Sequence, residues 1–399
     1  MVPELSITPR EELETRIRRF QTKLAAQDID GALILQNTDL FYFAGTIQQA
    51  HLYIPAEGEP LLMVRKSLER ARAESALARI VALRSPREIP DLLRAHGLQT
   101  GQRLGLELDV VPAALYLSYR NLFQESAIVD VSPPIRRLRA VKSPWEQDLM
   151  RRAAALADEV AGAARELIRE GMTEIELAGR VEAEARRRGH QGLVRMRMWG
   201  GELFYGHLMA GPSGAEPSYL ASPTGGRGVS AAVAQGAGFG TIQRHQPILL
   251  DYVFAWQGYI ADHTRIYALG GLPDDLMAAH QAMLDLEADL KKRARPGVSA
   301  GRLYEDAVGW AAEAGYGDWF MGADPQRIRF VGHGVGLELD EYPFLAKGQD
   351  MPLEKGMTIA LEPKLVIPGK GVVGIENTHI VGDAGLETIT RFDEAVQIL

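Results

Sequence analysis

The chain has no cysteine among its 399 residues. That excludes disulfides, thiolate metal sites and cysteine nucleophiles. Positive charge is in deficit, with 44 Lys and Arg against 52 Asp and Glu, a net charge of −8. A surface of that sign does not by itself recruit nucleic acid or anionic lipid, so neither is expected as a partner. Long apolar runs are missing too. Alanine-rich stretches such as "AAALADEVAGAARELI" (153–168) carry charges every few residues and are too polar to span a bilayer. The opening "MVPELSITPREELE" lacks the basic start and apolar run of a signal peptide. The expectation is a soluble, cytoplasmic protein. Hydrophobic residues make up 46% and charged residues 24%, as in globular proteins. The length exceeds what one ordinary core organises, so two domains are expected.

The first part, 1–140, alternates helix and strand signals. Thr8, Pro9 and Glu11 read as cap, first turn and capping-box partner of a helix reaching about Gln27. "GALILQ" (31–36), "RLGLEL" (103–108) and "AIVDV" (127–131) read as short strands, and "HLYIPAEGEPLLMV" (51–64) as a hairpin. This predicts a small mixed α/β domain. "SPPIRRLRAVKSPWEQ" (132–147) reads as a solvated hinge leading into a helix start at Ser143, Pro144 and Glu146. The second domain, 141–399, contains an internal echo. Gly171 and Gly297 each stop a helix, Thr173 and Ser299 each cap the next, and those helices end at Gly189 and Gly315. Both closing glycines lie 18 residues after their partners, which predicts a duplicated helix–helix unit in a pseudo-two-fold α/β domain.

Chemistry concentrates on acids placed around turns. "ILLDYVFAWQGYIADHTRIYAL" (248–269) reads as two strands about a turn at Trp256–Gln257. That register sets Asp251 directly opposite Asp262, with Cβ atoms ~4.5–5.5 Å apart. "KGMTIALEPKLVIPGKGVVGIENTHIV" (355–381) places Glu362 and Glu376 at similar distances from a turn at "PGKG". One strand acid is ordinarily a solvated edge residue. Four, flanked by apolar residues and set symmetrically about two turns, require a proton or a cation between them. His333 lies in "GHGVG", where little side-chain bulk intervenes. Taken alone it would be a hydrogen-bonded core histidine; beside four acids it reads as a ligand. Two Asp, two Glu and one His suit a pair of divalent ions such as Mn, Co, Fe or Zn.

These motifs resemble those of the metallopeptidase family with the pita-bread fold, which includes methionine aminopeptidase, aminopeptidase P, prolidase and creatinase. "DYVFAWQGYIADHTR", "GHGVG", "LEP" and "GIENT" match the family's ligand motifs in order, and the likeness covers nearly the whole chain. The resemblance implies that Asp251, Asp262, His333, Glu362 and Glu376 hold two metal ions and that Glu362 also shuttles a proton. It identifies 1–140 as a creatinase-like N-terminal domain and 141–399 as a pita-bread catalytic domain. It also implies a homodimer in which one subunit's N-terminal domain restricts access to the other's site. Creatinase itself lacks the metal set, which this chain keeps.

Two family histidines that contact substrate are missing. Where one is expected the chain reads "AAVAQG" (231–236), and where the other is expected, seven residues after His333, it has Asp340. An ionised carboxylate cannot donate to an oxyanion. His207, in "GGELFYGHLMAG" (200–211), is the candidate catalytic substitute, and Asp340 is the candidate substrate contact. His245, His263, His379 and Arg265 read as structural. The leading expectation is hydrolysis of the bond before proline in short peptides. The alternatives are a metal-dependent hydrolase or lyase of a small non-peptide substrate, such as an ectoine-type amide or a zwitterion paired with Asp340, and a non-catalytic scaffold.

Overall fold

The computed structural model describes residues 7–323, 325 and 327–399. The chain forms two compact units. The first runs to Arg139 and takes in Arg197–Trp199; the second holds Ala140–Met196 and Gly200–Leu399.

The first unit contains α1 (Arg10–Ala25), β1 (Gly31–Ile34), α2 (Asn37–Ala44), β2 (Ala50–Pro55), β3 (Leu61–Val64), α3 (Leu68–Glu74), β4 (Ile80–Ala82), α4 (Ile89–Ala95), β5 (Arg103–Leu106), α5 (Ala113–Leu122), β6 (Ala127–Asp130) and α6, which starts at Ser132. Its mixed sheet has the order β4-β3-β2-β1-β5-β6. The strands β1, β2 and β3 are buried on both faces, which explains why all their residues but His51 are apolar or glycine. The expected capping box at Thr8 does not form: Pro9 is the N-cap of α1 and no side chain bonds the first turn. The expected hinge is also corrected. Residues Ser132–Ala140 are helical, because Pro133 and Pro134 fall in the first turn, where no N–H donor is needed. Its basic cluster is not all solvated. Arg139 is buried and bonds Asp39 at 2.6 Å, and Arg197 bonds the other Asp39 oxygen at 2.8 Å.

The second unit begins with α7 (Pro144–Leu167) and α8 (Glu174–Arg187), followed by β7 (Gly206–Ala210), β8 (Ile248–Trp256) and β9 (Tyr259–Ala268). A second helix pair, α9 (Asp274–Arg293) and α10 (Ala300–Glu313), precedes β10 (Phe330–Gly334), β11 (Glu341–Ala346), β12 (Thr358–Leu361), β13 (Lys364–Ile367), β14 (Gly371–Gly374), β15 (Asn377–Val381), β16 (Leu386–Thr388) and β17 (Gln397–Ile398). The expected echo is present in the helices. Thr173 accepts from Glu176 N and Ser299 from Arg302 N, so both second helices carry side-chain caps. Gly171, Gly189, Gly297 and Gly315 all adopt positive φ. The capping box of Ser143 and Glu146 at α7 is complete. The helix α7 packs on β8 and β9, while α9 packs on β13, β14 and β16 and α10 on β10 and β11. Among the described residues no helix is long and apolar enough to cross a membrane.

The strands form a four-stranded sheet, β17-β9-β8-β7, a five-stranded sheet, β11-β10-β12-β15-β16, and the ribbon β13-β14. The two larger sheets meet where Thr264 N donates to Glu376 O at 3.1 Å. The acids gather at this seam. The first hairpin differs from expectation. Trp256 pairs with Tyr259, so the turn is Gln257–Gly258, both with positive φ, as a tight hairpin turn requires. Asp251 therefore faces Thr264 and Asp262 faces Val253. The register differs by two, an even number, so the two aspartates share a face diagonally rather than directly across. The second hairpin meets expectation. The pairs Leu361–Asn377 and Lys364–Gly374 keep the same register on either side of a break in the ladder, which sets Glu362 and Glu376 at matching positions on the two arms.

Candidate metal centre

Backbone fit explains why His333 sits between glycines. The strand β10 is paired on both sides, His333 with Phe344 of β11 and with Ala360 of β12. A Cβ at Gly332 would lie 2.5 Å from Ala360 O, and one at Gly334 would lie 2.1 Å from Tyr342 O. Only glycine permits that approach on either side of the imidazole. The His333 Nδ1–H donates to Gly334 O at 3.1 Å. This tautomer leaves the Nε2 lone pair facing the acids. The Nε2 lies 3.9 Å from Asp262 Oδ2, 3.7 Å from Glu362 Oε1 and 3.9 Å from Glu376 Oε1. Donors about 2.1 Å from one tetrahedral ion lie about 3.4 Å apart, so this spacing suits a shared cation. The Asp262, His333 and Glu376 donors converge as one buried group, and Asp262 Oδ1 is buried with no hydrogen-bond partner. A divalent ion fits here on both counts.

The other side of the cluster is different. Lys364 Nζ reaches Glu376 Oε2 at 2.6 Å, Glu362 Oε2 at 2.8 Å and Asp251 Oδ2 at 3.3 Å. Its side chain is only 1% exposed. Asp251 Oδ2 also accepts from Thr224 Oγ1 at 3.1 Å, and Glu376 Oε2 from Thr264 Oγ1 at 2.9 Å. Three ammonium donors thus meet three carboxylates from β8 and from both arms of the second hairpin. Sequence reading overlooked Lys364, Thr224 and Thr264. Two of these carried a signal: Lys364 lies two residues after Glu362 and Thr264 two after Asp262, the spacing of a shared strand face.

Charge reflects the asymmetry. Burial raises Asp262 far above the ordinary carboxylate range, and Glu376 and Asp251 nearby push the same way. Burial also pushes Glu376 up to about 8, with Lys364 pulling against it. For Asp251 burial is outweighed by Lys364 and His207, so its carboxyl falls below the ordinary range. Burial disfavours charge on Lys364, yet Asp251, Glu362 and Glu376 hold it well above its ordinary value. For His333 burial is likewise outweighed, by Asp340, Glu362 and Glu376, and the imidazole is raised.

The two candidate substitutes, His207 and Asp340, lie beside the site in different ways. His207 of β7 pairs with Asp251 of β8. Its Nδ1 meets Thr224 Oγ1 at 3.0 Å and its Nε2 meets Gln235 Oε1 at 3.1 Å, so both ring nitrogens are engaged. Burial lowers its basicity, and Asp251 pulls the other way. The geometry gives His207 a hold on Asp251 through Thr224 and no free proton for a substrate. Asp340 has φ 62° and places Oδ1 3.5 Å from His333 Nδ1. At 20% its side chain is the most exposed of the cluster. Arg265 is structural: it donates to Thr264 O, Glu376 O, Phe392 O and Asn377 Oδ1, fixing the backbone under the acids. His263 and His379 occupy the other strand face, where His379 meets Glu287 at 3.2 Å, and His245 bonds Gly271 O.

The chain resembles proteins of known class over nearly its full length. It is 26% identical to the Xaa-Pro dipeptidase of Pyrococcus furiosus over 386 residues, covering 95% of this chain and 98% of that one. It is 29% identical to the Xaa-Pro dipeptidase of Lactobacillus helveticus over 295 residues, 74% and 72% of the two chains. The solved Xaa-Pro dipeptidase of Bacillus anthracis superposes with a TM-score of 0.82 at 24% identity, covering 97% of this chain and all of the other. That likeness shows the two-part fold, a mixed α/β domain followed by a pita-bread domain. Residues 16–141 match the creatinase/prolidase N-terminal domain, and residues 148–383 match metallopeptidase family M24. With that match spanning most of the chain and the buried acids and histidine meeting within it, this protein belongs to metallopeptidase family M24.

Proposed function

We propose that this M24 hydrolase cleaves the bond before proline in dipeptides or short peptides. The supporting observation is the full-length likeness to Xaa-Pro dipeptidases, together with the convergence of Asp262, His333, Glu362 and Glu376 in one buried group. A divalent ion held there polarises a carbonyl and makes water a better nucleophile at neutral pH. Glu362 is the proton carrier in this reading. Its Oε2 is fixed by Lys364, while Oε1 faces the same space as His333 Nε2 and can pass a proton from water to the leaving nitrogen. The Thr264 and Thr378 hydroxyls hold Glu376 and the Asp262 backbone in place.

The test is turnover of Xaa-Pro dipeptides and Xaa-Pro-Yaa tripeptides after loading with Mn, Co, Fe or Zn. Release of proline or of a proline-led product, abolished by Glu362→Gln, is expected. Failure on every Xaa-Pro substrate with every metal refutes this reading. Asp340 favours one second reading, because an exposed acid beside His333 can pair with a cationic group. A small cationic amide or zwitterion turned over in place of the peptides would establish it.

A further inference from the structure

We propose that Lys364 takes the place of one cation in the acid cluster, so that each chain binds a single divalent ion. This refines the proposed metal-dependent function and rests on its metal reading.

The argument is spatial. The cluster has two sides. On one, Asp262, His333 and Glu376 present donors that converge, and Asp262 Oδ1 has no hydrogen-bond partner. On the other, Asp251 Oδ2 already accepts from Thr224 and Lys364, and Glu376 Oε2 from Thr264 and Lys364. A second ion between Asp251 and Glu376 would need the oxygens that the ammonium now holds. It would also need to lie within a few ångströms of that ammonium, where two cations repel strongly in a buried site. Four carboxylates offset by one divalent ion and one ammonium leave a single negative charge. That is a modest imbalance for a cluster with His333 and three hydroxyls around it.

Lys364 is also positioned to stay. It pairs with Gly374 in the β13–β14 register, and Gly374 has no side chain to compete for the site. Its three donors find three acceptors, so no rotation gains a better partner. The five acid and imidazole ligands thus describe a site for two ions, while the residue two positions beyond Glu362 reduces it to one.

The measurement is metal stoichiometry after equilibration with Mn2+ and gel filtration, by elemental analysis, with electron paramagnetic resonance of the bound ion. The wild-type chain is expected to hold one Mn2+ with the hyperfine pattern of an isolated ion. Lys364→Ala, which opens the space and removes the charge, is expected to hold two with a spin-coupled signal. Two coupled ions in the wild type overturn the inference and leave the peptidase reading intact. A single ion in Lys364→Ala overturns the role given to the ammonium. No bound metal in the wild type overturns the inference and the metal reading together. Should Lys364→Ala fail to fold, the wild-type stoichiometry and resonance signal decide alone.

Discussion

Replacing Lys364 by methionine removes the ammonium and keeps the bulk. In chelator the variant leaves Asp251, Glu362 and Glu376 facing one another with no cation. The wild-type ammonium sits 3.3, 2.8 and 2.6 Å from their respective oxygens and is almost fully buried. Removing one partner of a buried ion pair costs about 3–5 kcal/mol, because the remaining charge keeps its desolvation penalty. In a unit of this size 1 kcal/mol shifts the melting temperature by about 2–4 °C, which predicts a loss of roughly 6–20 °C at neutral pH. The acids have one escape, which is to bind protons. Glu376 is already raised to about 8 by burial, and losing Lys364 moves it further in the same direction. A carboxyl raised in the folded state favours folding below its unfolded pKa and opposes it as pH rises toward the folded one. The gap between variant and wild type should therefore narrow as pH falls from 7 to 5. Saturating Mn2+ should narrow it too, because the ion offsets acids that only the variant leaves without a cation and so stabilises the variant more than the wild type; an ion at one hundred times its Kd adds about 2.7 kcal/mol. Thermal unfolding of both proteins in chelator, at pH 5 and pH 7, is the assay. A variant that melts within about 1 °C of wild type at pH 7 in chelator would refute the view that this ammonium balances buried charge.

Two further outcomes follow from particular contacts. Asp340→Asn should weaken Mn2+ binding about 10–100-fold if Asp340 acts by orienting His333, as partners of metal-bound histidines do; unchanged affinity with a raised KM would instead place it on the substrate. In the first unit, burial and then Arg65 lower His51 to about 4, and its Nε2 lies 2.6 Å from the Tyr119 hydroxyl. The folded state resists protonation that the unfolded state accepts, so stability present above pH 6.5 is lost as pH falls toward 4, by up to about 3 kcal/mol. His51→Gln should flatten that limb of a pH–stability curve; an unchanged slope would show that another group controls it.

The parts of the site that were legible in the sequence are those that parity and turn spacing determine. Asp251 and Asp262 share a face because their separation across a tight turn keeps strand parity, and this survives the two-residue difference in register. The difference itself came from the turn. Gln257 at φ 48° is an uncommon first residue for a tight hairpin turn, so the sequence pointed to Trp256–Gln257 instead. The expected solvated hinge is helical for a similar reason: prolines that suggest a break in the sequence instead open α6. His207 lies on β7 opposite Asp251, and its partners Thr224 and Gln235 come from 17 and 28 residues away, through a loop with no periodicity to read.

Lys364 is the instructive case. It is two residues from Glu362, so strand parity alone puts both side chains on one face. It went unread because a lysine is ordinarily solvated, and because Pro363 interrupts the strand between the two. A set of acids identifies a demand for positive charge; it does not say what meets that demand. Two ions, one ion with an ammonium, and protons alone all satisfy the same five ligands to different degrees. The count is determined by the neighbours that compete for ligand oxygens. Here Asp251 Oδ2 and Glu376 Oε2 are held by Lys364 and by hydroxyls, while Asp262 Oδ1 is held by nothing. Retention of all five candidate residues therefore supports metal binding in this protein, and the proposed stoichiometry rests on the residue beside them.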